Sequence, residues 1–437
     1  MFNPHQVKTL KTKFPYSTGI ILLTLSLPAA ADIIYSGLLD SAIPTNFTGI
    51  TVTVGDGTLN PFFGGVGVAN NNFLQPGRVG TGNLDAIVNF GAGATINSGM
   101  TIDAALGYGG SSTHVGNGAS QFAAGSEGYV GFKLDGVNYG WMRVVFTNNT
   151  GGAVVKDWAY DNSGSALVTG NVLQSAVSGA AQTVTLTSAS GSFTLGTAVT
   201  DALGNTGGVV NSVVKEGAGT AVLAITNTYT GITSINAGKL VMGDAAADTF
   251  ATSQVNVAAT AMLLGSGSIS GNVNLAAELS SGANNGGTLA PGIGTGTLTV
   301  GGSTTLNQGS IFAWDISANG ASYDKLQTAT LVDGGSAGGS VFQIVVADPT
   351  FAGTFWDTAQ SWTNIFTTDG TTAISDWANI FSSTVSVVNS SLSPITPVDG
   401  TFSITGSTLS WTAVPEPSSA LAGLLLASGL LRRRRSV

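Results

Sequence analysis

The chain has no cysteine among its 437 residues. This absence excludes disulfide bonds, thiolate metal sites and a cysteine nucleophile. Only 8% of the residues are charged, against roughly 25% in ordinary globular domains. Because helix surfaces are normally covered by Lys, Glu and Arg, few helices are expected. The 62 glycines and the abundant Thr, Val, Ser and Asn favour short strands joined by tight turns.

Positive charge is scarce in the body of the chain. The sequence has 14 basic and 23 acidic residues. Half of the basic residues lie at the two ends, as Lys8, Lys11, Lys13 and the run Arg432–Arg435. The remainder is strongly acidic, which argues against anionic membrane surfaces and nucleic acid as partners.

The first 31 residues have the three parts of a secretion signal. A segment with three lysines precedes the apolar run 18–27, TGIILLTLSL, which Pro28 ends. Ala29 and Ala31 then supply small side chains at the −3 and −1 positions of a cleavage site. We predict a signal peptide over 1–31, with the secretion translocon and signal peptidase as partners. The alternative is a buried N-terminal helix.

Residues 32–172 are predicted to form a β-sandwich of jelly-roll type. In the stretch 127–146, EGYVGFKLDGVNYGWMRVVF, apolar residues alternate on both sides of Asp135-Gly136, which is typical of a β-hairpin. Trp141, Trp158 and Tyr160 are expected to pack between two sheets; the alternative is an aromatic platform for sugar rings.

The segment from about 125 to 170 resembles a GF…YGW…DWAYE signature of bacterial exported proteins. This chain has GF, YGW and DWAYD, with Asp161 in place of the usual Glu. The resemblance implies export and no known catalysis.

Residues 173–345 are rich in Gly, Thr and Ala, with short apolar runs between turn residues. The stretch 213–244 closely resembles the autotransporter-associated β-strand repeat, through GAGT at 217–220, NTYTG at 227–231 and NAG at 236–238. Such a unit cannot bury its apolar face alone, so successive coils must stack. We predict a right-handed parallel β-helix over 173–345, with roughly seven coils of about 20–25 residues each.

Two polar features of this region have structural interpretations. Glu216 and Lys239 lie about one coil apart and could form an ion pair between coils. Asp324 is expected to be a turn residue before Leu326; an acid or a calcium ligand is the alternative.

Residues 346–413 are predicted to be a β-rich aromatic cap or linker. Trp356, Trp362, Trp377 and Trp411 are expected to cover the open end of the solenoid, because an exposed end is an aggregation edge. Contact with carbohydrate is the alternative for these four side chains.

Clustered catalytic chemistry is not evident in the sequence. Polysaccharide lyases and hydrolases use paired carboxylates with Arg, Lys or His, yet 173–345 contains no Arg, no His and three Lys. His114, the one histidine beyond the signal, has no GxSxG motif around it. We therefore expect no catalytic residue, no metal site and no cofactor, and a chain that is not an enzyme.

The segment 414–437 has a Pro-Glu-Pro motif, an apolar run and an arginine cluster. The run 418–431 is about 21 Å long as a helix, short of a ~30 Å hydrocarbon core. We predict a short transmembrane helix that Arg432, Arg433, Arg434 and Arg435 stop at the cytoplasmic face.

These three parts, in this order, resemble the PEP-CTERM sorting signal of Gram-negative bacteria. The resemblance implies an exosortase as a partner, with Pro415, Glu416 and Pro417 as its recognition residues.

The expected function is therefore that of an exported structural or adhesive protein, processed by an exosortase. It would be anchored transiently in the inner membrane and then reach the cell surface, the outer membrane or the extracellular matrix. Extracellular polysaccharide, as in a biofilm, is a further expected partner. The alternatives are a surface carbohydrate-binding protein and a β-helix polysaccharide lyase or hydrolase.

Overall fold

The structure is a computed structural model that describes residues 32–71, 73–82, 85–102, 108–109, 114–147, 153–175, 182–204, 210–347, 349–351, 354–382, 385–397 and 399–414. These residues form strands and turns, with short 3₁₀ helices at Phe63–Gly65 and Trp377–Ile380. The all-β prediction is confirmed. Within these ranges no helix is long and apolar enough to cross a membrane, and the helix predicted over 418–431 lies outside them.

The N-terminal strands are short and mostly antiparallel. They are β1 (Asp32–Tyr35), β2 (Ser41–Ala42), β3 (Val52–Val54), β4 (Gly57–Phe62), β5 (Gly67–Asn70), β6 (Leu74–Pro76), β7 (Thr95–Ile96), β8 (Tyr108–Gly109), β9 (Glu127–Leu134), β10 (Asn138–Val145), β11 (Val154–Asp161), β12 (Leu167–Val168) and β13 (Val172–Ser175).

The predicted hairpin is confirmed as β9 and β10, which pair from Leu134↔Asn138 to Glu127↔Val145. Asp135 and Gly136 in its loop both have positive φ, 53° and 72°, a conformation that glycine adopts without a steric penalty.

Two sheets contain most of the strands of this N-terminal part. One has the order β6-β9-β10-β11-β1, and the other has the order β3-β4-β5-β8. Side chains from both, among them Val54, Leu59, Phe132 and Met142, form one buried apolar cluster. The β-sandwich of jelly-roll type over 32–172 stays a prediction.

The remaining strands form the solenoid and its C-terminal end. They are β14 (Gln182–Thr187), β15 (Ser192–Leu195), β16 (Asn211–Glu216), β17 (Thr220–Leu223), β18 (Ile232–Ile235), β19 (Lys239–Met242), β20 (Thr249–Phe250), β21 (Gln254–Val257), β22 (Met262–Gly265), β23 (Ser268–Ile269), β24 (Asn272–Leu275), β25 (Thr288–Pro291), β26 (Thr297–Leu306), β27 (Ile311–Ile316), β28 (Lys325–Asp333), β29 (Val341–Val346), β30 (Gln360–Trp362), β31 (Phe366–Thr367), β32 (Ser386–Asn389), β33 (Gly400–Thr405) and β34 (Thr408–Ala413).

Two parallel sheets wind together along this region. The first solenoid sheet is β15-β17-β19-β22-β25-β27-β29-β32, and the second pairs β14, β16, β18, β21, β24, β26, β28 and β31 in succession. In the described part of 182–346 the two sheets share seven coils, in agreement with the predicted number. Parallel sheets fit a β-helix, and its right-handed sense stays a prediction.

Equivalent residues of successive coils stack into inward-facing columns. In the first sheet the paired and buried residues are Phe193, Ala221, Leu240, Leu263, Leu289, Phe312 and Phe342. Each coil therefore covers the apolar side chains of the coil before it, which is the stacking that a repeat of this length requires.

Several hydroxyl groups that enter the interior of the solenoid are hydrogen-bonded to one another. The Thr233 hydroxyl donates to Thr252 Oγ1 at 3.1 Å and lies 2.5 Å from the Tyr229 hydroxyl. Burial raises the pKa of Tyr229, so that hydroxyl stays protonated as a donor. A second pair, Thr304 and Thr328, is joined at 2.9 Å. Because each hydroxyl has a partner, these positions avoid the cost of buried unsatisfied groups.

β1 joins the N-terminal strands to the solenoid. It pairs antiparallel with β11, through Ile33↔Asp161, and parallel with β15, through Ile33↔Leu195. In the second sheet, β13 lies antiparallel on β14. The N-terminal strands β1 and β13 thus cover the first edge of both solenoid sheets, which protects those edges from edge-to-edge association.

The other end of the solenoid is closed by aromatic side chains. Trp356, Trp362, Trp377 and Trp411 are all buried and belong to the same apolar cluster as the solenoid columns. Trp362 meets Trp314 of β27 edge to face, with ring centroids 5.3 Å apart. Buried rings cannot contact an external sugar, so the carbohydrate alternative for these four residues is wrong.

A buried ion pair lies behind β1 at the junction. Arg143 is 7% exposed and Asp157 is 0% exposed. Arg143 Nε and Nη2 donate to the two Asp157 oxygens at 2.9 and 2.6 Å, and the Tyr35 hydroxyl donates to Asp157 at 2.8 Å. Arg143 also donates to the Gln174 carbonyl oxygen at 3.2 Å. This network connects β1, β10, β11 and β13.

Arg143→Met is expected to lower the free energy of unfolding by about 3–5 kcal/mol, because it leaves the Asp157 carboxylate buried without its cation. The double variant Arg143→Met/Asp157→Leu should recover most of that loss, since no buried charge remains. Denaturant unfolding followed by circular dichroism measures both.

The matched control is Lys156→Met, which breaks a partly exposed ion pair with Asp40 at 2.5 Å. We expect a change of about 0–1 kcal/mol there. Equal losses from Lys156→Met and Arg143→Met would contradict the role of the buried pair.

Candidate functional sites

The repeat region is held together at its corners by main-chain carbonyl groups and a buried lysine. Lys215 occupies an inward position of β16, between Leu186 and Ile235 of the adjacent coils. Its ammonium donates to the carbonyl oxygens of Glu216 and Gly217 at 2.7 Å, and to that of Ala237 on the next coil at 3.2 Å. Lys215 therefore joins two coils. Desolvation lowers its pKa to about 8.

Glycine is required where these corners stack. Gly238 has φ 67°, and a Cβ there would lie 2.4 Å from the carbonyl oxygens of Gly217 and Gly219. Gly217 has φ 74°, and a Cβ there would lie 2.3 Å from the Ser188 carbonyl oxygen. The glycines of the repeat thus permit close backbone contact between coils.

The suggested ion pair between Glu216 and Lys239 is wrong. Glu216 ends a strand of the second solenoid sheet, whereas Lys239 begins a strand of the first and pairs with Thr220. The corner of the coil lies between them. Glu216 instead accepts a hydrogen bond from Asn236 Nδ2 at 2.7 Å, so an asparagine at the corner bonds the previous coil.

Comparison with known proteins supports the assignment of this segment. A family model, the passenger-associated-transport-repeat, matches residues 213–242. An autotransporter-associated repeat is therefore confirmed over β16 to β19. No curated protein was found to match the chain.

The three aromatic residues of β10 and β11 have two different environments. Trp141 is fully buried, as expected for core packing. Trp158 and Tyr160 are half-buried and pack on the N-terminal apolar cluster, with their rings stacked at 6.1 Å and 27°. Burial is thus confirmed for Trp141, but in the apolar cluster of the solenoid columns and not between the two N-terminal sheets as predicted, while Trp158 and Tyr160 keep exposed surface.

A groove of about 280 Å³ lies beside Trp158. Its other lining residues come from two chain segments far from Trp158 in sequence, and they are Ser36, Leu39, Ser41, Thr51, Val52 and Thr53. Trp158 stands out in the sequence as an aromatic residue that could pack on sugar rings, but the other lining residues do not, because residues more than 100 positions away from it form no motif with it. We call it the Trp158 groove.

Asp324 precedes β28 but, unlike an ordinary turn residue, has a fully buried side chain. Its two oxygens accept from the main-chain N–H of Gly296 at 2.8 Å and of Asp315 at 2.9 Å. Desolvation, with a smaller effect of the Asp315 charge, raises its pKa well above the ordinary value. Asp324 thereby links the loop before β26 to β27.

Asp315 is the neighbouring carboxyl, and desolvation raises its pKa to about 6. Among the described residues its side chain has no hydrogen-bond partner to offset that desolvation. Asp315 and Asp324 both have raised pKa values, as catalytic carboxyl groups often do. Asp324, however, is fully buried and therefore inaccessible to a substrate.

His114 is buried, with Nε2 2.5 Å from the Gly65 carbonyl oxygen and its ring against Phe146. Burial lowers its pKa, with a smaller effect of the Arg78 charge in the same direction. Over the described ranges, no group of three or more His, Asp or Glu side chains has an arrangement that could hold a metal ion.

The residues predicted for cleavage and sorting lie outside the described ranges. They are Ala29 and Ala31 of the signal, Pro415, Glu416 and Pro417 of the motif, and Arg432, Arg433, Arg434 and Arg435.

Asp315→Asn is expected to stabilise the chain above pH 6. Folding raises the pKa of Asp315 from 3.8 to about 6, so the folded state holds its proton more tightly than the unfolded state. The contribution of this group to stability is therefore favourable in acid and is lost as the pH rises through about 4 to 6. The variant should gain about 1–3 kcal/mol at pH 8 and approach the parent near pH 4.

Denaturant unfolding between pH 4 and 8 measures this difference. Asp357→Asn, at an exposed aspartate, is the control and should change stability by less than about 0.5 kcal/mol. A gain for Asp315→Asn that is the same at every pH would contradict the explanation.

Proposed function

We propose that the chain is an exported, passenger-like surface protein whose solenoid is a structural or adhesive body. The observation that carries this proposal is the autotransporter-associated repeat at 213–242, set within two stacked parallel sheets. A solenoid with apolar columns and closed ends is a long, stable spacer that needs no disulfide bonds. It suits a role outside the cell irrespective of the redox state there.

The N-terminal part is proposed to be a jelly-roll sandwich that covers one end of the solenoid. Its strands already continue the first solenoid sheet through β1. The aromatic C-terminal part covers the apolar columns at the opposite end with its buried tryptophans, which would reduce association of copies through that end.

Export is proposed to begin with the translocon and signal peptidase. Cleavage after Ala31 would leave Asp32 as the first residue of β1. The fold supports this position, because cleavage a few residues later would cut the strand that pairs with both β11 and β15.

Sorting is proposed to depend on the segment 414–437. The apolar run would hold the body at the inner membrane of a Gram-negative bacterium until an exosortase recognises Pro415, Glu416 and Pro417. Cleavage near this motif would pass the body to the cell surface, the outer membrane or the extracellular matrix. The arginines would keep the tail in the cytoplasm during this step.

Replacing Pro415, Glu416 and Pro417 with alanine should block processing in a host that has an exosortase. The unprocessed chain should keep its full C-terminal mass and accumulate in the inner membrane. Intact mass spectrometry and cell fractionation measure these outcomes.

Pro397→Ala, a proline change outside the motif, is the control and should be processed as the parent is. Unchanged mass and location of the triple-alanine variant would contradict the sorting proposal.

A further inference from the structure

The Trp158 groove combines one aromatic ring with hydroxyl groups on its opposite walls. Ser41 belongs to β2, which pairs with β11, while Thr53 belongs to β3, the edge strand of the other N-terminal sheet. The groove therefore lies where the two sheets meet. At about 280 Å³ it is close to the lower limit of small-molecule sites and has room for one sugar ring.

The hydroxyl groups of Ser41 and Thr53 are available to a ligand. Neither makes a side-chain hydrogen bond to any part of the chain that the structure describes. The neighbouring hydroxyl groups are already hydrogen-bonded within the chain. Thr51 Oγ1 accepts from Asn60 at 2.6 Å, and Ser36 Oγ accepts from the Trp158 main-chain N–H at 2.9 Å. The groove thus has fixed walls and two unused donors.

Trp158 is held firmly in place. Its main-chain N–H and carbonyl oxygen are both hydrogen-bonded to Ser36. The N–H donates to Ser36 Oγ, and the carbonyl oxygen accepts from the Ser36 N–H at 3.0 Å. Its ring stacks on that of Tyr160. An aromatic ring that is fixed before binding loses little conformational entropy when a flat ligand packs on it.

The charge at the groove favours a neutral ligand. Lys156, next to Trp158 on the outward side of β11, is paired with Asp40 at 2.5 Å, so this cation is already neutralised. The chain as a whole has a net charge of −9. Its field would repel an anionic polymer.

We infer that the Trp158 groove binds one pyranose unit of a neutral polysaccharide. The apolar C–H face of the ring would pack on Trp158, and the sugar hydroxyls would accept from and donate to Ser41 and Thr53. This assigns a ligand class to the proposed surface role. It is independent of the sorting signal, so loss of sugar binding and loss of processing are separate results.

The test uses the full-length chain, purified in mild detergent, on native gels that contain one soluble polysaccharide. Hydroxyethyl cellulose, galactomannan and dextran are the neutral probes, and alginate is the anionic probe. We expect at least one neutral probe to slow migration, and alginate to have no effect. Trp158→Ala should need at least tenfold more polysaccharide for the same retardation.

Thr53→Val keeps the shape of the side chain but removes the hydroxyl. It therefore tests the site even if circular dichroism shows that Trp158→Ala is misfolded. It should weaken retardation severalfold. Phe73→Ala is the control, because Phe73 is 51% exposed and does not line the groove. It should bind as the parent does.

Three outcomes would overturn the inference. These are no retardation by any neutral probe, equal retardation by alginate, and unchanged binding in both Trp158→Ala and Thr53→Val.

Discussion

Hydrogen bonding along both edges of β1 joins the N-terminal strands to the solenoid, and the rest of the structure depends on this junction. The strand is four residues long, yet it pairs antiparallel with β11 and parallel with β15. Because of this, the N-terminal strands and the solenoid strands share a single sheet of 14 strands. The ion pair of Arg143 and Asp157 lies behind β1 and fixes its neighbours, so the junction combines main-chain pairing with a buried, fully bonded charge pair.

The solenoid is stabilised by apolar side chains that stack at the same inward position of each coil, and by hydrogen bonds from the few polar side chains found at such positions. Most inward positions are aliphatic or aromatic and cover the same position of the coil before. Lys215, Thr233 and Thr304 occupy inward positions too, and each bonds a group on an adjacent coil. A polar side chain in a low-dielectric interior costs little when its partners are built in. These positions therefore join coils instead of weakening them.

Much of the solenoid could be predicted because its information is local. Gly217 and Gly238 are needed where corners touch, and alternating apolar residues are needed on each strand, so both appear as a sequence motif. The prediction of an ion pair between Glu216 and Lys239 is wrong because residues one coil apart in sequence can lie on different sheets. Sequence spacing alone does not say on which side of a corner a residue falls.

The sequence by itself determined the all-β class, the hairpin around Asp135 and the repeat, and it indicated that the C-terminal tryptophans are buried. Each follows from composition or from residues close together in the chain. Only the tertiary structure decided that β1 bridges both halves, that Asp324 is buried and accepts from the Asp315 main-chain N–H, and that Ser41 and Thr53 line one groove with Trp158. These depend on contacts between distant segments, whose pairing is set by the packing of whole sheets and leaves no local pattern.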